Sequence, residues 1–181
     1  TYHGAASLIR SPSGWKVESI YISSNGLCSD SVNVIKSTGH SLWFASYLDH
    51  KNGGISIWDN DGTQFITVAD GLPHAYVTSL QYLGDEKMLG GLALVQKING
   101  EYKITATFFS ENGVPGEKVR QLFLDEDGYL WITTEYDGVL ILNYADDGLQ
   151  SELQGMYLKE ENGLSDNEIK CLIKVKDSYW L

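Results

Sequence analysis

The chain has 181 residues, of which 43% are hydrophobic and 12% aromatic, so it is long enough for one domain with a core and too apolar for disorder. Its formal charge of −11 argues against nucleic acid as a partner, because phosphate contacts require clustered lysine and arginine. No apolar run reaches the roughly 18–20 residues of a membrane helix. No signal peptide is recognisable at the start, and we expect membrane attachment only through parts of the protein outside this chain.

A short turn phrase recurs four times along the chain, with spacings of 45, 42 and 50 residues. It stands at Asn25-Gly26, Asp70-Gly71, Asn112-Gly113 and Asn162-Gly163. Apolar residues follow each Asn or Asp at offsets of two, seven and ten positions. They are Leu27, Leu72, Val114 and Leu164, then Val32, Val77, Val119 and Ile169, then Ile35, Leu80, Leu122 and Leu172. This agreement indicates an internal repeat.

Each repeat predicts four short strands joined by turns. The second strand carries the pair Leu42-Trp43, Leu130-Trp131 or Tyr179-Trp180. A further apolar run follows at 53–59 and 137–143, and alternating runs close the units at 16–22, 64–70 and 102–109. Four-stranded repeats of this length are typical of β-propeller blades.

The predicted fold class is therefore all-β, with blades of four antiparallel strands. Residues 1–24 form a half blade, 25–69 a blade, 70–111 a degenerate blade, 112–161 a blade and 162–181 a half blade. Blade 70–111 is degenerate because its stretch 83–95 contains no Trp, which leaves its second and third strands in doubt. Either the two halves pair and close a four-bladed ring, or the chain is a segment of a larger propeller. We favour the segment, because an unpaired edge strand invites further assembly.

Three packing expectations follow from the repeat. The three-residue step from offset seven to offset ten breaks strict alternation, so we interpret the first strand of each unit as innermost and buried on both faces. The recurring position of Trp43, Trp131 and Trp180 predicts packing between blades. Cys28 and Cys171 are far apart and predict two buried free thiols, with a disulfide as the open alternative.

Two segments resemble the repeat of the two-component regulator propellers. They are DEDGYLWITTEYDGVLILN (125–143) and ENGLSDNEIKCLI (161–173). Such propellers are the extracytoplasmic sensor regions of hybrid histidine kinase and response regulator proteins in polysaccharide-degrading bacteria, usually with seven blades per ring. The resemblance implies a periplasmic sensor propeller that recognises an oligosaccharide or relays its binding to a kinase outside this chain. The first alternative is a structural propeller scaffold, including a homodimer surface, with ligand bound elsewhere.

Candidate ligand-binding residues lie in the loops between blades and in the loops from second to third strand, which open on one face around the channel of a propeller. The stretch from Trp43 to Gly54 is four residues longer than its counterpart from Trp131 to Gly138. Aromatic faces beside fixed donors and acceptors suit a sugar, although a tolerated surface insertion would explain the same length. The predicted binding residues are Tyr47, Asp49, His50, Lys51, His74, Tyr76, Glu135 and Tyr136. Further polar residues of the same loops are Glu117, Lys118, Asp137, Asp166 and Asn167, each of which alone would be explained as a solvated turn residue.

The sequence predicts no catalytic residue, no metal site and no cofactor. The stretch 124–131 lacks the Ser and Asp of a sialidase box, since Leu124 and Glu126 stand in their places. The four histidines are scattered and form no His-x-Glu pair of the kind that lyase propellers use, and no phosphate loop or nucleophile turn appears. A polysaccharide-active lyase or glycosidase is thus the less favoured alternative, open because acidic residues are plentiful.

Overall fold

The computed structural model describes residues 3–47, 53–114, 118–149 and 152–181. In these ranges every neighbouring strand pair is antiparallel. The first sheet contains β1 (Ala5–Ser11) and β2 (Gly14–Tyr21). Blade one contains β3 (Val32–Ser37), β4 (Leu42–Ser46), β5 (Ile55–Asp59) and β6 (Gly62–Ile66). Blade two contains β7 (Leu80–Gly84), β8 (Lys87–Gly90), β9 (Ala93–Ile98) and β10 (Glu101–Thr107).

Blade three and a two-stranded sheet complete the architecture. Blade three contains β11 (Val119–Leu124), β12 (Tyr129–Thr134), β13 (Val139–Asn143) and β14 (Met156–Leu158), with helix α1 (Tyr144–Asp147) after β13. The last sheet contains β15 (Ile173–Val175) and β16 (Ser178–Trp180). The predicted fold class is confirmed: three four-stranded blades stand between two half blades, which form separate sheets within the described ranges. No helix in these ranges is long and apolar enough to cross a membrane.

The recurring Asn-Gly or Asp-Gly pair ends a 3₁₀ turn at the entry to each blade. The Asn25 side chain accepts a hydrogen bond from the Ile22 amide at 2.6 Å, and Asp70 does the same for Thr67 at 2.9 Å. The glycine that follows Asn25 then takes a φ of +130°, a conformation that side chains rarely adopt. The 3₁₀ turns are Ser23–Asn25, Val68–Asp70, Ser110–Asn112 and Glu160–Asn162. The repeated phrase is therefore capping chemistry that turns the chain from one blade into the next.

The step from offset seven to offset ten has a different origin from the one we expected. Burial on both faces was the wrong interpretation, because the first strands mix buried residues with half-buried ones and, in β3, with exposed ones. The register of β11 shifts between Val119 and Gln121, which pair with the adjacent residues Thr134 and Thr133. Arg120 is thus the extra residue of a β-bulge, and the same shift in β3 makes Asn33 an extra residue. Because of this extra residue, the apolar residues at offsets seven and ten, Val119 and Leu122 in β11, lie on the same face of the strand.

Hydrophobic clusters fill the spaces between successive sheets, so the core lies between blades. Trp43 packs with Val77 and Tyr102 of blade two, and Trp131 packs with Ile169 and Leu172 beyond blade three. The expected inter-blade packing of these two tryptophans is confirmed. Trp180, at the equivalent register opposite Ile173, is 65% exposed instead, since the last sheet has no described neighbour on its far face.

Blade two forms its second and third strands in spite of the missing Trp. Leu89 of β8 takes the equivalent inward position, 2% exposed, and packs against Leu122 and Ile132 of blade three. A leucine at this position is therefore enough to pack β8 against blade three, and the doubt about the second and third strands of blade two was wrong.

Two smaller expectations need correction. Both cysteines are free thiols, as expected, but neither is fully buried: Cys28 is half-buried and Cys171 is exposed. Cys171 stands between Ile169 and Leu172 in the sequence and faces away from the cluster that those two residues join. Ile35 is 49% exposed, unlike Leu80 at the same offset. The face of blade one that carries Ile35 meets a sheet with only β1 and β2, whereas Leu80 packs against a complete blade.

Candidate ligand-binding cleft

Loops from blades one, two and three surround a cavity of about 250 Å³ at one end of the blades. We call this cavity the loop-face cleft. Its lining residues are Tyr47, His74, Tyr76, Thr78, Lys118, Val119, Arg120 and Glu135. The structure thus brings together four of the predicted binding residues, Tyr47, His74, Tyr76 and Glu135. Their role in binding stays a prediction.

The other predicted residues have different positions. Tyr136 lines an adjoining cavity of about 230 Å³, together with Lys118, Glu135 and Asp137. Asp49, His50 and Lys51 lie outside the described residues.

Backbone hydrogen bonds bring the loops of blades one and two to the same place. The Tyr47 amide donates to the Ser31 carbonyl at 2.9 Å, which fixes the chain just after β4. The Val77 amide donates to the Ser46 carbonyl at 2.8 Å, which holds the inter-blade loop against the same strand end. As a result the rings of Tyr47 and Tyr76 lie 5.5 Å apart between centroids, inclined at 56°. They provide an aromatic wall of the cleft.

Glu135 is the carboxylate around which the charged lining residues of the cleft gather. Its carboxylate accepts a hydrogen bond from the Tyr136 hydroxyl at 2.8 Å and lies 3.1 Å from Arg120 Nη2 and 3.4 Å from Lys118 Nζ. The hydrogen bond from Tyr136, followed by Lys118 and the Arg120 charge, holds the pKa of Glu135 below its usual range despite its partial burial. The same contact with Glu135 raises the pKa of Lys118. Both groups therefore remain charged at neutral pH.

Arg120 reaches the cleft because it is the extra residue of the β11 bulge. Its Nη2 also lies 3.8 Å from Glu168 in the following inter-blade loop, so its guanidinium links blade three to the last sheet. Its Nε is buried and has no hydrogen-bond partner within the described part of the chain. A buried donor that lacks an acceptor is uncommon and often marks a functional position.

Sequence reasoning missed Arg120, although a signal was present. The residue at offset eight is polar in all four repeats: Asn33, Thr78, Arg120 and Lys170. In blades one and two this residue bridges to the next blade, since Asn33 Nδ2 donates to the Thr78 carbonyl at 3.0 Å and Thr78 donates to the Val119 carbonyl. Arg120 also reaches the next sheet, through the carboxylate of Glu168, and in addition contacts Glu135 of its own blade.

Comparison with known proteins agrees with this architecture. The family described as "Two component regulator propeller" matches residues 113–136. No curated protein matches the chain. Among solved structures, the extracellular domain of the candidate hybrid two component system BT3049 from B. thetaiotaomicron is similar, with a TM-score of 0.66 and 18% identity over 90% of this chain.

Two solved structures of a second protein from the same organism are also similar. They are extracellular domains of BT4673, described once as a candidate one component system and once as a candidate hybrid two component system. The TM-scores are 0.60 and 0.55, with 14% and 19% identity over 92% and 87% of this chain.

These likenesses, at low identity, establish the fold. The chain spans 24%, 22% and 21% of the lengths of the three solved structures, which is about a quarter. The matched residues 113–136 include Arg120 and Glu135 of the cleft and Trp131 of β12. The resemblance read from the sequence is confirmed for residues 113–136, which match the two-component regulator propeller family.

Proposed function

We propose that this chain is part of the extracytoplasmic, periplasmic sensor propeller of a hybrid two-component signalling protein, and that its loop-face cleft recognises an oligosaccharide. The matching family and the extracellular solved structures of candidate two-component systems support the sensor role. Histidine kinase activity would reside elsewhere in such a protein. This chain would contribute recognition, without catalysis.

The observation that carries the proposal is the composition of the cleft. Tyr47 and Tyr76 provide ring faces, while Lys118, Arg120 and Glu135 provide charged hydrogen-bonding groups in the same cavity. Small-molecule sites are concave and combine apolar or aromatic walls with a few fixed polar groups. Sugar rings present one apolar face and a rim of hydroxyl groups, so the combination of aromatic rings and charged groups in the cleft matches their chemistry.

The same geometry offers a route for relaying the binding event. The cleft is lined from three blades, and Arg120 joins the third of them to Glu168 beyond it. A ligand that contacts several blades favours the blade arrangement to which it binds best. Binding would thus bias the packing between blades, the part of a propeller that can transmit a signal to an attached domain.

A thermal-shift screen against plant and host oligosaccharides tests the proposal. A ligand at about 100 times its dissociation constant adds roughly 2.7 kcal/mol to the free energy of unfolding. We expect a stabilising glycan whose effect is lost in Tyr47→Ala and Tyr76→Ala. The effect should be kept in Tyr129→Ala, a matched change of a 42% exposed tyrosine at the start of β12, away from the cleft.

Each other result has a defined meaning. A shift that survives both cleft substitutions would place the glycan elsewhere on the chain. No shift with any glycan, in protein shown to be folded, would favour the scaffold alternative. Chain cleavage of an incubated glycan would favour the lyase or glycosidase alternative.

A further inference from the structure

We infer that the ligand of the loop-face cleft is an oligosaccharide that carries a carboxylate, a uronic acid unit, and that Lys118 and Arg120 bind this carboxylate. The inference rests on the proposed function and names the chemical class of its ligand. It depends on three features of the cleft: its charge, its unused donors and its aromatic wall.

The charge of the cleft is opposite to that of the chain. The chain has a formal charge of −11, but the described lining residues of the cleft include two cations, Lys118 and Arg120, and one carboxylate, that of Glu135. The cavity beside Tyr102 shows the contrast, since its charged lining residues are Asp59, Asp61 and Glu101. Charges more than about 8 Å away are largely screened at physiological salt. A bound anion would therefore respond mainly to the local cations.

Both cations retain donors that Glu135 does not use. The Lys118 side chain is 65% exposed, and its ammonium, with three N–H donors, is 3.4 Å from Glu135. The ammonium also lies 5.3 Å from the centre of the Tyr136 ring, at the mouth between the two cavities. A ligand carboxylate can approach this ammonium from solvent without displacing a buried group.

Arg120 offers the second anchor. Among the described residues, carboxylates contact only its Nη2, and the contact with Glu168 is long, at 3.8 Å, with Glu168 also 3.7 Å from Lys170. The buried Nε has no acceptor in the described structure. A guanidinium binds carboxylates in a bidentate manner through neighbouring N–H groups. A modest turn of the Arg120 side chain toward the cleft would give Nε its acceptor.

The aromatic wall explains why the anion would be part of a sugar. The rings of Tyr47 and Tyr76 line the same cleft as Lys118 and Arg120, and their centroids lie 5.5 Å apart. A small inorganic anion would leave these rings unused. A uronic acid residue presents a carboxylate to the cations and a pyranose face to the tyrosines.

Titration calorimetry with tetragalacturonic acid, and with the same tetramer after its carboxyl groups are reduced to alcohols, tests the inference. We expect the acid to bind about 10- to 100-fold more tightly than the reduced form, as one charge-assisted contact would give. Affinity for the acid should fall as sodium chloride is raised. Lys118→Gln should lose most of the preference for the acid, and Lys118→Arg should retain it.

Lys103→Gln is the matched control, since Lys103 is 55% exposed and lies 3.0 Å from Glu101, away from the cleft. It should leave both affinities unchanged. Equal or tighter binding of the reduced tetramer would overturn the inference and leave the proposed function intact. An acid preference that survives Lys118→Gln and Arg120→Gln would place the carboxylate elsewhere and also overturn it. Failure of every glycan to bind would remove the proposed function as well.

Discussion

The indole Nε1 of Trp131 donates a hydrogen bond to the carboxylate of Asp125 at 3.0 Å, and the Tyr179 hydroxyl donates to the same oxygen at 2.5 Å. The two rings stack with centroids 4.2 Å apart. Asp125, which is 6% exposed, also accepts from the amides of Asp127 and Tyr129 through its other oxygen. One carboxylate thereby shapes the turn before β12 and links blade three to the last sheet.

Replacement of Asp125 should destabilise the protein strongly. In Asp125→Ala the Trp131 indole, the Tyr179 hydroxyl and two backbone amides lose their acceptor. Each unsatisfied buried donor costs about 1–3 kcal/mol, and some would reach water, so we expect a loss of about 2–4 kcal/mol in the free energy of unfolding. Urea denaturation measures it. Asp125→Asn, which keeps one acceptor oxygen, should cost less than the alanine change, and an equal or larger cost would contradict this account.

The same network predicts a pH dependence. Burial alone would raise the pKa of Asp125, but the hydrogen bonds from Tyr179, Tyr129, Trp131 and Asp127 outweigh burial and hold this pKa below its usual value. A carboxyl group with a depressed folded-state pKa stabilises the fold fully above its unfolded pKa of about 3.9 and loses that contribution as pH falls through the folded pKa.

We therefore expect wild type and Asp125→Asn to differ in stability by a constant amount between pH 5 and 7. The difference should shrink below about pH 4, as protonation removes the charge from the wild-type group. Unfolding midpoints measured across this range provide the test. A difference that grows toward acid pH would show that Asp125 is not held ionised by its donors.

Gly138 ends the loop that carries Glu135 and Tyr136, and its replacement tests how that loop is held. It has a φ of +75°, and a Cβ there would stand 2.1 Å from the Leu158 carbonyl oxygen. Gly148 has a similar φ of +64°, with no atom within 4 Å of an added Cβ. Both alanine variants should lose about 1–2 kcal/mol from the left-handed conformation. Only Gly138→Ala should lose a further 1–3 kcal/mol or so from the steric conflict.

Thermal unfolding of the two glycine variants separates these contributions. Similar losses would mean that β14 moves away freely, and that the site loop is not held by this contact. A larger loss in Gly138→Ala, together with weaker glycan binding, would show that the β13–β14 edge positions Glu135.

Sequence periodicity predicted the blades because it reflects burial that each repeat shares. Val32, Val77, Val119 and Ile169 are all between 2% and 6% exposed, since every blade meets a neighbour at this offset. Ile35 deviates because its burial depends on the size of the preceding sheet, which its own repeat does not encode. The β-bulge could not be read from the spacing either, because a bulge is a property of pairing between two strands.

The sequence predicted the aromatic residues of the cleft, but only some of its charged residues. Tyr47, Tyr76 and Glu135 lie in loops whose common face follows from the propeller fold. Arg120 lies within a predicted strand, where a polar residue normally points to solvent or a partner strand. Its place in the cleft became visible only in the structure, through the β-bulge and through the contacts of its guanidinium with Glu135 and Glu168.

Leu89 and Trp43 occupy equivalent inward positions but should not be interchangeable. Trp43 is 1% exposed, donates from Nε1 to Ser41 at 2.7 Å and meets the Tyr102 ring edge-on at 5.0 Å. Trp43→Leu should leave a cavity and remove one of the hydrogen bonds of Ser41, whose hydroxyl keeps Thr38 as a partner, at a cost of about 2–4 kcal/mol. Leu89→Trp should overpack the cluster between blades two and three, at a cost of about 1–3 kcal/mol.

Chemical denaturation of both variants checks this expectation, with Trp15→Leu as the control. Trp15 is 71% exposed, so its replacement should change stability by less than about 0.5 kcal/mol. A Leu89→Trp protein as stable as the wild type would mean that the space between blades two and three already accommodates an indole. The leucine would then be neutral variation at a position that any large apolar residue can fill. A destabilised variant would instead show that each inter-blade space is packed to its own pair of sheets, which is the condition for a ligand in the loop-face cleft to be sensed through blade packing.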